Sequence, residues 1–289
     1  MVSLAEVLLV ATVAGCATGL GALPTLVTDR VSHRIYDGAL GLAAGIMVGA
    51  AVFALVVPGL EFGTPLEVVA GVVLGGAFLL VANALLPHLH LRFRGEHVEG
   101  TAAVDESVGD LPPLEERLAA EDIYEHDRDG ATDSEDTRED DLRRAALVGS
   151  AVTIHNVPEG LAVGIAFASG EAGLGFAIAT AIAVQNVPDG FAMAVPATRA
   201  GISRPKTILY TTLSGGVPEP IAAAVGFSLV SLVTGLFPVA AGFAAGAMIA
   251  VVFRELVPSS HGHGYADTAT ATFIAGFAIM LLVDTTLAV

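Results

Sequence analysis

Eight apolar runs, each long enough to cross a membrane as a helix, constrain the fold of this chain more than any other feature. A membrane-spanning helix needs about 20 mostly apolar residues. A soluble protein of 289 residues, 54% of them hydrophobic, would need an unusually large core to bury that surface. The pattern therefore predicts an all-α membrane protein with eight transmembrane helices. The runs span roughly 4–25, 39–60, 66–87, 146–168, 173–196, 207–231, 236–257 and 269–288.

One polar stretch, residues 88–145, divides the chain into predicted helices 1–3 (residues 1–87) and 4–8 (residues 146–289). Residues 91–144 hold 18 of the 30 acidic residues against 7 arginines. A segment so charged and so poor in apolar residues is not expected to fold alone. We predict a disordered acidic loop. It either collects cations weakly or, as the simpler interpretation, tethers the two halves.

The positions of the basic residues predict the orientation of the chain across the membrane. If the eight runs alternate across the membrane, all 13 lysines and arginines fall on one side. The loops on the opposite side, near residues 61–64, 169–171 and 234–238, have none. Because positive charge accumulates on the cytoplasmic side, the acidic loop is predicted to be cytoplasmic and both termini to lie outside a cell membrane.

Two halves of the chain also resemble one another. Gly41–Met47 in the second run matches Gly242–Met248 in the seventh, and Val52–Pro58 matches Val252–Pro258 after a one-residue shift. Under the predicted topology these runs cross in opposite directions, which indicates inverted three-helix repeats that flank helices 4 and 5. The alternative is that glycine and alanine simply recur in packed membrane helices.

The fourth and fifth runs carry two variants of one motif. His155-Asn156-Val157-Pro158-Glu159-Gly160 and Gln185-Asn186-Val187-Pro188-Asp189-Gly190 each place a carboxylate four residues after a nitrogen or amide ligand. On a helix both members of such a pair project from one face. This spacing is typical of a metal site.

Carboxylates inside a membrane are costly and mark functional sites. The fourth, fifth and sixth runs carry Glu159, Asp189 and Glu219. Two carboxylates neutralise one divalent cation, and a third would allow a second ion nearby. Each neighbouring proline, such as Pro158 or Pro218, lacks an N–H and so frees a backbone carbonyl one turn earlier. Such carbonyls are tolerated at membrane depth where they line a polar cavity.

The chemical types of the candidate ligands narrow the choice of ion. Imidazole, carboxylates and amide oxygens suit zinc, iron(II) or manganese(II), whereas copper(I) prefers sulfur ligands. A proton or sodium relay built from His155 and the carboxylates is the main alternative, and a metal channel uses the same residue types. A metal-dependent hydrolase is disfavoured, because no His-Glu-x-x-His pattern or activated nucleophile occurs. The metal is thus expected as a transported substrate, and no enzymatic cofactor is predicted.

The paired motifs resemble the signature of the ZIP (ZRT/IRT-like) metal transporters, and most closely their prokaryotic branch. The resemblance covers nearly the whole chain and implies a homodimer that moves zinc, and often iron, manganese or cadmium, into the cytoplasm without ATP hydrolysis. It also implies a binuclear site bridged by Glu159 and Asp189. The first metal position would use His155, Glu159, Gln185, Asp189 and an extra ligand, Met47; the second would use Asn156, Glu159, Asn186, Asp189 and Glu219.

The sequence departs from the family pattern at two of these positions. Asp189 stands where the family usually has glutamate, and Gln185 stands where many relatives have histidine. Both changes leave the expected site with fewer nitrogen ligands and harder oxygen ligands. Manganese and iron therefore stay beside zinc as candidate ions.

Overall fold

The computed structural model describes residues 2–27, 31–91, 135–233 and 235–287. Within these ranges the chain is helical and contains no strand, which confirms the all-α prediction. We label the helical segments in chain order. They are α1 Leu4–Leu26, α2 His33–Phe62, α3 Pro65–Leu91, α4 Glu135–Ala168, α5 Ala172–Arg199, α6 Arg204–Leu232, α7 Phe237–Ser260 and α8 Ala266–Leu287.

The helices present the apolar exterior that a bilayer requires. Among the described residues, seven segments are long and apolar enough to cross a membrane, and α4 is not one of them. The prediction of a membrane protein is confirmed, whereas the count of eight spans stays a prediction. Large apolar side chains such as Leu66 (77% exposed) and Leu232 (82% exposed) face outward, as expected where lipid is the solvent.

The long polar stretch is partly helical. Residues 88–91 continue α3 and residues 135–145 form the beginning of α4, so the flanking helices reach further than the apolar runs indicated. Residues 92–134 lie outside the described part of the chain, and the disordered loop stays a prediction there.

Helix pairing follows a pseudo-twofold pattern. Helix α2 packs against α8 and α3 against α7, while α4 packs against α6 and α1 against α5. A pseudo-twofold operation replaces α1–α3 by α6–α8 and α4 by α5. It converts the α2–α8 contact into the α3–α7 contact, and the α4–α6 contact into the α1–α5 contact. This arrangement supports the inverted repeat that the sequence predicts. It also separates the bundle into two groups of helices, α1 with α4, α5 and α6, and α2 with α3, α7 and α8.

The two matching helices share a rare backbone feature. Helix α2 widens into a π-helix at Ala50–Val56, and α7 does so at Val252–Leu256. Each wide segment ends two residues before a proline, Pro58 in α2 and Pro258 in α7. A π-helix absorbs an inserted residue without ending the helix. The one-residue shift between the two repeats falls in residues 48–51 of α2, where its π segment begins.

Candidate metal site

Polar side chains cluster inside the first group of helices. Seven of the predicted site residues lie on α4, α5 and α6, and each is at most 3% exposed. Buried polar and charged groups at this depth are costly unless they are paired or bind an ion. The seven are His155, Asn156, Glu159, Gln185, Asn186, Asp189 and Glu219.

Three of these residues form a compact ligand set. One ligand atom from each of His155, Glu159 and Asp189 lies within 4.8 Å of the other two. His155 and Glu159 reach this position from successive turns of α4, as their four-residue spacing predicts. Asp189 approaches from α5, so the set joins the two motif-bearing helices.

Hydrogen bonds between side chains connect the remaining residues to this set. Gln185 donates from Nε2 to Oε1 of Glu159 over 2.5 Å. Asn186 donates from Nδ2 to Oε1 of Glu219 over 2.7 Å, which ties α5 to α6. The carboxylates of all three helices therefore belong to one continuous polar network.

A proline explains how Asn156 is oriented. Pro218 has no N–H, so the carbonyl of Ser214 lacks the helical partner that residue 218 would normally supply. Asn156 on α4 donates its Nδ2–H to that carbonyl oxygen over 2.8 Å. The anchored amide keeps its Oδ1 atom away from Ser214, and this oxygen is available to a cation.

Asn186 has a comparable anchor on α1. Its Nδ2 atom donates to the carbonyl oxygen of Ala14 over 2.9 Å. Helix α1 changes there from an α-helix, which ends at Cys16, to a 3₁₀-helix over Ala17–Leu26. Such a change of winding rearranges the backbone hydrogen bonds of the adjoining turn. Both asparagines are therefore held by backbone carbonyls at helix irregularities.

Every one of the seven residues has a buried atom without a hydrogen-bond partner. Leaving such an atom unpaired costs about 1–3 kcal/mol, and more for a charged group. All of these atoms except His155 Nε2 are oxygens, and the nitrogen is itself a common metal donor. The atoms are His155 Nε2, Asn156 Oδ1, Glu159 Oε2, Gln185 Oε1, Asn186 Oδ1, both carboxylate oxygens of Asp189, and Glu219 Oε2.

The last glycine of each motif allows the close helix contacts on which the site depends. A Cβ atom on Gly160 would overlap the backbone of Glu219, and one on Gly190 would overlap the backbone of Thr18. The first contact brings α4 against α6, and the second brings α5 against α1. Gly160 thus sets the separation between two of the buried carboxylates.

Sequence reasoning missed Glu255. This residue lies in the π-helical segment of α7, and its Oε2 atom is 3.3 Å from Nδ1 of His155. A carboxylate on the second ring nitrogen fixes the orientation of an imidazole ligand. The sequence contained one signal: Arg254 and Glu255 interrupt the repeat where the matching copy has Ala54 and Leu55.

Met47, the remaining predicted ligand, lies on α2, outside the three helices that carry the other seven. It is fully buried in α2, within the main apolar core, and α2 packs against α5. A thioether is a weak ligand that also fills apolar space well. Its role as an additional ligand stays a prediction.

The fold and the buried cluster define a multi-pass membrane protein built around a carboxylate-rich polar site. Comparison with known proteins gives its family. The profile of the ZIP zinc transporter family matches residues 4–284, and the chain belongs to this family. The predicted family is therefore confirmed, and with it the prediction of a transporter rather than an enzyme.

Individual relatives match over nearly the whole chain. The zinc transporter GufA of Myxococcus xanthus is 35% identical over 95% of this chain and 96% of its own length. The zinc transporter ZIPB of Bordetella bronchiseptica is 34% identical over 94% of this chain and 78% of its own length. Human zinc transporter ZIP11 is 34% identical over 92% of this chain and 93% of its own length.

Proposed function

We propose that this protein carries a divalent transition metal, in the first place zinc, across a cell membrane into the cytoplasm. The metal is the transported substrate and not a cofactor. The ion would bind between α4, α5 and α6 at a binuclear site, with Glu159 and Asp189 bridging the two positions. Iron, manganese and cadmium are the other candidate ions.

One observation carries this proposal: every one of the seven predicted ligands has a buried polar atom without a hydrogen-bond partner. A folded protein rarely leaves so many buried polar atoms without partners, because each lowers the free energy of unfolding. A bound divalent cation would satisfy several at once. The mixture of one imidazole, amide oxygens and carboxylates suits zinc, iron(II) or manganese(II).

Charge supports two ions. Glu159, Asp189 and Glu219 together carry three negative charges when ionised, which exceeds the charge of one divalent ion. Glu255 supplies a fourth carboxylate through its contact with His155. Four carboxylates match two divalent cations, so a doubly loaded site would be electrically neutral at a depth where net charge is costly.

Ion preference rests on the relatives and on the ligand types. GufA, ZIPB and ZIP11 are all named zinc transporters. The shorter Asp189 and the amide of Gln185 make this site richer in hard oxygen ligands. Manganese and iron(II) bind oxygen ligands more readily than sulfur ligands. Zinc is therefore our first choice, and manganese and iron(II) are the alternatives.

The orientation and assembly belong to the same proposal. Under alternating spans, all lysines and arginines lie on the side of the 88–145 segment, which supports a cytoplasmic location for this segment and an outside location for both termini. We assign the segment a tethering role. The homodimer that the family resemblance implies is part of the proposal as well.

A proton-coupled carrier of another solute is the second candidate. The pair that favours it is His155 and Glu255, 3.3 Å apart, since an imidazole beside an intramembrane carboxylate can pass a proton. Under this alternative the cluster would move protons without a metal. The same experiment separates the two functions.

The test is uptake of zinc, manganese, iron(II) and cadmium by proteoliposomes that contain the purified protein, with internal pH recorded. Glu159→Ala removes the proposed bridge from both positions and should lower metal uptake at least about 100-fold, since removing a buried charge partner costs roughly 3–5 kcal/mol. The matched control is Glu171→Ala, because Glu171 is an exposed carboxylate at the start of α5. It should transport as the unmodified protein does.

Two results would contradict the proposal. Near-normal uptake by a well-folded Glu159→Ala protein would exclude the proposed bridging site. Acidification of the vesicles without metal entry would favour the proton-coupled carrier. In both cases the melting temperature of each variant shows whether the protein remains folded.

A further inference from the structure

A long groove opens between α4 and α6 on the outer face of the helices that hold the candidate metal site. Its volume is 1210 Å³, above the roughly 300–1,000 Å³ of typical small-molecule pockets. Its walls are almost entirely apolar and include Val157 and Leu161 on α4 and Leu213 and Val225 on α6. A groove of this kind on a membrane protein suits a long apolar chain.

One end of the groove is polar. Thr207 lines it there, is only 1% exposed, and its Oγ1 atom has no hydrogen-bond partner. Tyr210, whose side chain is 48% exposed, lines the groove one turn further along α6. A buried hydroxyl without a partner at the edge of an apolar groove indicates a polar group of a ligand beside it.

The same end carries positive charge. Helix α6 begins at Arg204, three residues before Thr207, and both Arg204 and Lys206 are exposed. Ser203, the residue before the helix, makes no side-chain capping hydrogen bond. A helix N-terminus with two adjacent cationic side chains attracts an anion.

The length of the groove fits one lipid chain. Thr207 and Val225 are 18 positions apart on α6, which corresponds to roughly 27 Å of helix. One leaflet of the hydrocarbon core is about 15 Å thick. An acyl chain that starts at Thr207 therefore has apolar wall along its whole length.

From the groove, the buried hydroxyl and the charges together, we propose that this surface binds an anionic phospholipid. Its phosphate lies at the start of α6, beside Arg204, Lys206 and the hydroxyl of Thr207, and one acyl chain lies between α4 and α6. Ser214 also lines the groove, while its carbonyl oxygen holds Asn156. The bound lipid thus lies directly against one wall of the candidate metal site.

Native mass spectrometry of the delipidated full-length protein tests this proposal. Phosphatidylglycerol and phosphatidylcholine with identical acyl chains are added separately, and bound lipid is counted per chain. We expect one phosphatidylglycerol to be retained per chain and phosphatidylcholine to bind more weakly. Combining R204Q with K206Q should weaken phosphatidylglycerol binding about 30-fold, since each basic residue near an anionic lipid contributes roughly 1 kcal/mol.

A second variant tests the apolar groove. Leu213→Trp places a large ring in the groove at a side chain that is already 46% exposed, and it should abolish retention of phosphatidylglycerol. Leu209→Trp is the matched control, because Leu209 is 53% exposed one turn away and lies outside the groove lining. Arg34→Gln removes an exposed arginine at the start of α2 and controls for general loss of charge.

Three outcomes would overturn the proposal. One is equal binding of the two lipids by the unmodified protein, and another is full phosphatidylglycerol binding by Leu213→Trp. The third is conversion of a dimer to a monomer by Leu213→Trp without loss of lipid, which would make this groove an interface between two copies of the chain. None of these results depends on metal transport.

Discussion

The side chain of Asn156 donates a hydrogen bond of 2.8 Å to the carbonyl oxygen of Ser214, on a helix that lies 58 residues further along the chain. This carbonyl is available because residue 218 is proline and offers no N–H. The proline thus acts at a distance on a proposed metal ligand. With its NH₂ group held by Ser214, Asn156 keeps a buried amide oxygen that has no hydrogen-bond partner.

Pro218→Ala should therefore weaken metal binding. The new N–H at position 218 would compete for the Ser214 carbonyl and release the amide of Asn156. Loss of a residue that orients a metal ligand typically lowers affinity about 10–100-fold, and we expect the lower end. Zinc titration of the purified protein measures the change. Pro65→Ala, at the exposed start of α3, is the control, and equal zinc affinities for the two variants would contradict this role for Pro218.

Asp189→Glu should preserve transport and alter ion preference. The longer side chain restores the usual family residue and moves the carboxylate further into the ligand set. We expect the ratio of zinc to manganese uptake to change by roughly tenfold, which is about 1.4 kcal/mol. Competition uptake in proteoliposomes gives this ratio. Complete loss of transport would show that the pocket requires the shorter side chain.

Glu255→Gln tests the contact with His155. The amide keeps the shape of the side chain but removes the charge that faces Nδ1 across 3.3 Å. We expect zinc affinity to fall about tenfold, because the carboxylate that orients the imidazole is lost. Glu61→Gln, at the far end of α2, serves as the control. A Glu255→Gln protein with unchanged affinity and unchanged uptake would limit Glu255 to a structural role.

Gly160→Ala should destabilise the protein, although alanine is the better helix former. Its Cβ atom would meet the backbone of Glu219, which cannot move aside as a side chain can. Overpacking of this kind costs about 1–3 kcal/mol. At Gly76 the nearest atom would be 3.6 Å from the added Cβ, so Gly76→Ala should be neutral or gain up to about 1 kcal/mol. Equal melting temperatures for the two variants would refute the close-contact argument.

The sequence pointed to the buried polar residues of α4, α5 and α6 because charge inside a membrane is conspicuous. Glu159 and Asp189 stand in apolar runs at a helical spacing from His155 and Gln185, and one helix face is the simplest arrangement that satisfies them. Their placement on neighbouring helices follows from the short connection between α4 and α5. These features depend on local sequence alone.

The features that sequence did not predict depend on tertiary contacts. Glu255 stands next to Arg254 near a helix end, where a charged pair is normally solvated, and only the packing of α7 against α4 brings it to His155. The π segments of α2 and α7 also left no clear pattern among alanines and valines. The partners of Asn156 and Asn186 are backbone carbonyls, which no side-chain motif can reveal.

The matching π segments of α2 and α7 differ in chemical character. The repeat gives both halves of the bundle the same backbone course, yet α7 carries Arg254 and Glu255 where α2 carries Ala54 and Leu55. His155 therefore faces a carboxylate on α7, whereas the corresponding position on α2 is the fully buried side chain of Leu55. A nearly symmetric backbone thus carries different chemistry at its two matching π segments, a charged pair on α7 and two apolar side chains on α2.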